Sequence, residues 1–167
     1  TASYHNGDVP VEMIVYTQTS PDITSLIGQI ERVGELTGRQ ADVSIAIDNT
    51  SGFSWPWAWY LRDYTRVNYP NFEGSPLQQA PNASILVVHS MNQTDAEPAL
   101  KDLYTKGELI RHRWWFPESI YRDMTPGKFL AAFADRQAWR NAMDYFLYRK
   151  GVRHQLGSED SYVYFSR

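Results

Sequence analysis

Ser20, Asp48 and His89 are the residues whose types could share the work of nucleophile, orienting acid and base. Each stands at or after the end of an apolar run: Val11–Tyr16, Val43–Ile47 and Ser84–Val88. In an open α/β sheet ligands collect at the carboxyl ends of the strands. Thr19, Ser20, Asp48, Asn49, Ser51, His89 and Ser90 would then share one rim. A small hydrolase or transferase would require Ser20, Asp48 and His89 to converge within hydrogen-bond reach. The local pattern points elsewhere, because no serine occupies the G-x-S-x-G turn that exposes a nucleophile. Ser20 before Pro21 reads as a helix cap, and Asp48-Asn49 as a turn former. No residue is assigned a catalytic role.

A second chemistry is contact through aromatic faces. Ser54-Trp55-Pro56-Trp57-Ala58-Trp59-Tyr60-Leu61-Arg62-Asp63-Tyr64 packs three indoles into one short stretch. A buried indole needs a partner for its N–H, so a lone core rarely uses so many together. On a helix, Trp55, Trp59 and Asp63 share one face, with Pro56, Tyr60 and Tyr64 beside it. That face either packs its indoles on the sheet or offers an aromatic edge to sugar or lipid. Arg111-His112-Arg113-Trp114-Trp115-Phe116 mixes cations with large aromatics in the manner of a membrane–water interface. The competing arrangement is a corner set by Pro117, with the Trp pair in the core and the arginines solvated. The candidate binding residues are therefore Trp55, Trp57, Trp59, Arg62, Asp63, Asp48, Arg111, Arg113, Trp114 and Trp115.

Other chemistries lack their residues. Thr17-Gln18-Thr19-Ser20-Pro21-Asp22 has no glycine, so backbone cannot close on a dinucleotide phosphate. His5, His89, His112 and His154 share no metal-ligand spacing, and there is no cysteine. No metal or cofactor is expected. A net charge of -3 and a pI near 5.8 argue against a nucleic-acid partner. Three sequons occur, at Asn49, Asn82 and Asn92.

The elements that must carry these residues follow from periodicity. Val11–Tyr16 reads as a strand. Ile23, Leu26, Ile27, Ile30, Val33 and Leu36 form a helical stripe that Gly38 ends. Strands are expected at 43–47, 65–69, 84–88 and 162–165, and helices over the Trp-rich segment, from Thr94 to about Tyr104, and from Pro126 to Lys150. Gly107 to Thr125 gives no clear period. The order predicts a single α/β domain over 1–167: an open Rossmann-like three-layer sandwich, mostly parallel, with helices on both faces. The strands at 11–16, 43–47 and 65–69 should run parallel, with the last strand antiparallel at an edge. No run is long and apolar enough to span a membrane. The opening Thr1 suggests a fragment of a longer chain.

Four segments together resemble one family: Val15–Asp22, Trp55–Tyr64, Trp114-Trp115-Phe116-Pro117-Glu118 and Leu156–Tyr164. In this order they look like the C-terminal soluble domain of flippase-activity-associated membrane proteins. Those proteins are similar to the dolichyl-phosphate-mannose–protein mannosyltransferases of the GT-C class. The resemblance implies an extracytoplasmic domain following a transmembrane region, membrane-anchored in the parent protein and at the cell surface or in the periplasm. It implies protein glycosylation or other lipid-linked sugar chemistry in that parent. The expected partners are the parent transmembrane domain and a lipid-linked sugar, glycan acceptor or membrane surface. Catalytic acids of such enzymes lie in the membrane part, so none transfers to this chain. The alternatives are the strand-end enzyme above and a purely structural docking domain.

Overall fold

The computed structural model describes residues 17–74, 77, 79–115, 122–148 and 157–167. The strand expected at Val11–Tyr16 lies outside them. Six strands form one sheet: β1 (Gln18–Thr19), β2 (Ile45–Ile47), β3 (Val67–Asn68), β4 (Ile85–His89), β5 (Glu108–Trp115) and β6 (Gly157–Phe165). Their spatial order is β1-β5-β6-β4-β2-β3. Among the described residues, five α-helices accompany them: α1 (Pro21–Thr37), α2 (Trp57–Tyr60), α3 (Gln93–Leu100), α4 (Pro126–Ala134) and α5 (Arg136–Tyr148).

Local chemistry sets the boundaries of α1. The Ser20 hydroxyl accepts the Asp22 N–H at 3.2 Å, and Pro21 follows at the first helical position. Gly38 takes φ 67°, which a side chain would oppose, and Arg39 N–H reaches back to Gly34 O at 2.9 Å. Gly34 itself is required by this return, because a Cβ there would sit 2.6 Å from Gln40 O. Ile23, Leu26 and Ile30 are buried, each contributing roughly 1.5–3 kcal/mol by leaving water.

β4 is apolar at consecutive positions because both of its faces are covered. Ile85 and Val87 join Ile45, Ile47, Val163 and the α1 stripe in one cluster. Leu86 and Val88 join Ala46, Ala96, Leu100 and Tyr164 in another. Such alternation is the period-two geometry of a strand.

The sheet corrects the Rossmann-like expectation. β2 is parallel to β3 and β4, but β6 pairs antiparallel to β4, with Val87 opposite Val163. The sheet is mixed and mostly antiparallel, not an open parallel sandwich. The final strand is central rather than at an edge, since it inserts between β4 and β5. Periodicity revealed neither the two-residue β1 nor β5: the inward positions of β5 are Ile110 and His112, and a histidine does not read as core. The long helix expected from Pro126 to Lys150 is two helices, broken at Asp135, whose extended backbone ends α4. Lys150 lies outside the described residues.

The chain divides into two compact units, Thr19–Arg113 with Glu159–Arg167 and Thr1–Gln18 with Trp114–Ser158. The first holds both apolar clusters; the second contains α4 and α5.

Candidate functional site

Asp48 directly follows β2 and is fully buried. Its Oδ1 accepts the Thr50 N–H at 3.0 Å, the Thr50 hydroxyl at 2.6 Å and the Phe72 N–H at 3.3 Å. Its Oδ2 accepts the His89 backbone N–H at 3.1 Å and the Asn92 amide at 2.7 Å. The Asn92 amide also donates to Thr50 Oγ1 at 2.7 Å. A buried carboxylate requires this many donors to replace water. Asp48 thereby ties the ends of β2 and β4 to the loop at Phe72. The sequence offered it as a binding residue; its oxygens are turned into the protein.

The three strand-end residues do not form a relay. His89 Nδ1 accepts the Met91 N–H at 3.1 Å, which leaves Nε2 to face Glu159 Oε1 at 3.3 Å. Asp48 meets only the backbone of His89. The Ser20 hydroxyl caps α1, and its N–H donates to His112 O at 3.3 Å. Sequence reasoning missed Glu159, which sits on β6 and is brought in by the antiparallel pairing. It also pairs with Arg113 Nε. The His89 hydrogen bond holds the Glu159 carboxyl below the usual carboxylate range, against burial and with help from Arg113.

His112 is buried beneath the Trp-rich segment. Its Nε2–H donates to Trp55 O. Phe53 lies tilted over the ring at 3.9 Å between centroids, and Trp57 meets it edge-on at 5.6 Å. Nδ1 has no hydrogen-bond partner among the described residues. Burial pushes its pKa down from 6.5 to about 4, outweighing the Trp55 carbonyl and Glu159.

These contacts fix the phase of the aromatic segment. Phe53, Trp57 and Leu61 are buried, four apart along the chain. Trp55 and Trp59 are 54% and 65% exposed. The helix is also short, Trp57–Tyr60, so the face expected to carry Trp55, Trp59 and Asp63 does not exist as one helical stripe. Arg62 lies over the Trp59 ring at 4.7 Å, donates to Trp59 O at 2.9 Å and pairs with Asp63 at 3.6 Å. Asp63 and Tyr64 line a notch of about 310 Å³ with Glu31, Glu35, Gln40 and Ala41. The segment thus exposes two indoles, of which the Trp59 ring carries the Arg62 guanidinium, itself paired with Asp63.

On β5, Arg111 is exposed, Arg113 half-buried in its ion pair, and Trp114 and Trp115 half-buried. The Trp115 indole lies against Gly157, where any Cβ would collide. Phe116, Pro117 and Glu118 lie outside the described residues. No group of three metal-ligating side chains occurs among the described residues. Of the sequon asparagines, Asn92 is committed to Asp48, Asn49 is half-buried and Asn82 is exposed. No described helix is long and apolar enough to cross a membrane.

Compared with protein-family models, curated proteins and solved structures, the chain matches none of them.

Proposed function

We propose that the chain is an extracytoplasmic accessory domain of a membrane-anchored, glycosyltransferase-like protein, and that its Trp55–Trp59–Arg62 edge binds the sugar of a lipid-linked donor or glycan acceptor. The observation that carries this is the exposure of two indoles on a segment whose third indole is locked in the core. An apolar ring face left in water has a standing free-energy cost, which a ligand surface removes. Arg62 holds one ring in place, and the Glu31, Glu35 and Asp63 carboxylates supply acceptors for hydroxyl groups. The four segments that resemble the flippase-activity-associated proteins supply the cellular setting. The Asp48 oxygens are taken up by Thr50, Phe72, His89 N–H and Asn92, and the His89 ring by Met91 and Glu159.

Titration of the chain with soluble mannose oligosaccharides, followed by tryptophan fluorescence, tests it. A saturable change should appear in the parent chain. Trp59→Ala should weaken it about tenfold and Trp55→Ala with Trp59→Ala should abolish it, with unfolding temperature unchanged. A response that survives the double substitution places glycan binding elsewhere; no response in the parent chain sinks the glycan reading.

A further inference from the structure

We infer that the α4–α5 hairpin is a membrane-interface anchor that lays its apolar face into an anionic lipid surface. This deepens the reading above, which sets the domain beside a membrane, by naming the surface that meets it. Neither helix has a buried residue. Phe129, Leu130, Phe133, Trp139, Met143 and Leu147 are all at least half exposed, up to 69% for Leu130. The rings are nevertheless ordered against one another: Phe129 meets Phe133 edge-on at 4.9 Å, and Phe133 meets Trp139 at 5.5 Å. Trp139 Nε1 donates to Phe133 O at 3.0 Å, which ties the two helices together and leaves the indole plane apolar. Between them is an apolar notch of about 160 Å³.

Charge selects the occupant. Residues 122–150 contain six of the chain's 16 Lys and Arg but only three of its 19 Asp and Glu, so a basic segment sits in an acidic chain. At 100° per residue, Trp139, Met143 and Leu147 share one side of α5, and Arg140 falls at its border. Lys128 lies in the first turn of α4, and Arg136, the first residue of α5, falls on the same side as Met143 and Leu147. Aromatic and aliphatic side chains bordered by cations are the composition of helices lying in the headgroup layer. An anionic lipid surface matches that rim. A second copy would instead bring the same cations to the interface.

Flotation of the full chain with phosphatidylcholine vesicles, with and without phosphatidylglycerol, tests the inference. The chain should float with the anionic vesicles and be released by salt. Leu130→Glu with Leu147→Glu should lower binding by about tenfold or more. Arg136→Glu with Arg140→Glu should remove the preference for phosphatidylglycerol. All these side chains are exposed, so unchanged thermal unfolding will show that the variants fold. Absence of binding to either vesicle, or binding indifferent to both variants, overturns the inference. So does a dimer in sedimentation equilibrium that the leucine variant dissociates, since that assigns the face to a second copy. Oligosaccharide titration of the same variants separates this outcome from the fate of the glycan edge.

Discussion

His112 shows how one side chain couples the aromatic segment to solution conditions. Its ring is enclosed by Phe53 and Trp57, with Nε2–H on Trp55 O and Nδ1 bare. A proton on Nδ1 would be buried with no acceptor among the described residues, which is why the native pKa falls from 6.5 to about 4. The unfolded chain accepts that proton at higher pH than the native chain. Stability from this group is therefore complete above pH 6.5 and declines as the pH falls toward about 4. The full loss is on the order of 3 kcal/mol. Glu159, held below the carboxylate range by His89 first, adds a further loss at lower pH as it takes up its own proton. Urea unfolding of the parent chain should show a midpoint that drops between pH 6.5 and 4. His112→Gln keeps an N–H for the Trp55 carbonyl but cannot titrate, so its midpoint should be nearly level over that window. An equal slope in both proteins would show that another group governs acid sensitivity.

At the scale of elements, the aromatic segment is decided by phase. Trp57→Ala removes an indole from the centre of the first apolar cluster and should cost roughly 3–5 kcal/mol, whereas Trp59→Ala should cost less than about 0.5 kcal/mol. Chemical denaturation of the two variants checks this; comparable losses would mean the phase is wrong. The sequence made the segment conspicuous but could not supply its phase. Two stripes, 53/57/61 and 55/59/63, both obey helical spacing, and only the His112 ring beneath Phe53 and Trp57 selects between them. Elements whose signals are local were legible: α1 through Ser20, Pro21, its apolar stripe and Gly38, and β4 through its unbroken apolar run. β5 was not, because its core-facing residues include a histidine whose burial depends on distant partners. The same dependence hid Glu159. A glutamate near a chain end carries no local sign that antiparallel pairing will place it against His89 and Arg113.

At the scale of the whole molecule, one misplaced strand changes the fold class. Parallel pairing of β2 with β3 is what the alternation of strands and helices led one to expect, and β4 joins β2 in parallel as well. Inserting β6 between β4 and β5 replaces a crossover architecture with a mixed sheet. That insertion also separates what the sheet needs from what the hairpin does. Trp115, the last residue of β5, lies against Gly157, the first of β6, so the two strand ends are already adjacent. Everything between them returns the chain to nearly the point it left. A turn of about four residues can make the same connection in an antiparallel pair. Closing the shorter loop also costs less conformational entropy than closing the long one. Replacing residues 116–156 by Gly-Asn-Gly-Ser should therefore leave the sheet, both apolar clusters and the exposed Trp55–Trp59 edge intact. Amide hydrogen exchange should show protection retained at β2, β4 and β6, and the oligosaccharide response should persist. Vesicle flotation should be lost, because α4 and α5 are gone. Loss of protection throughout the sheet would instead show that the excised segment is part of the folding unit, and retained flotation would move the lipid contact away from the hairpin.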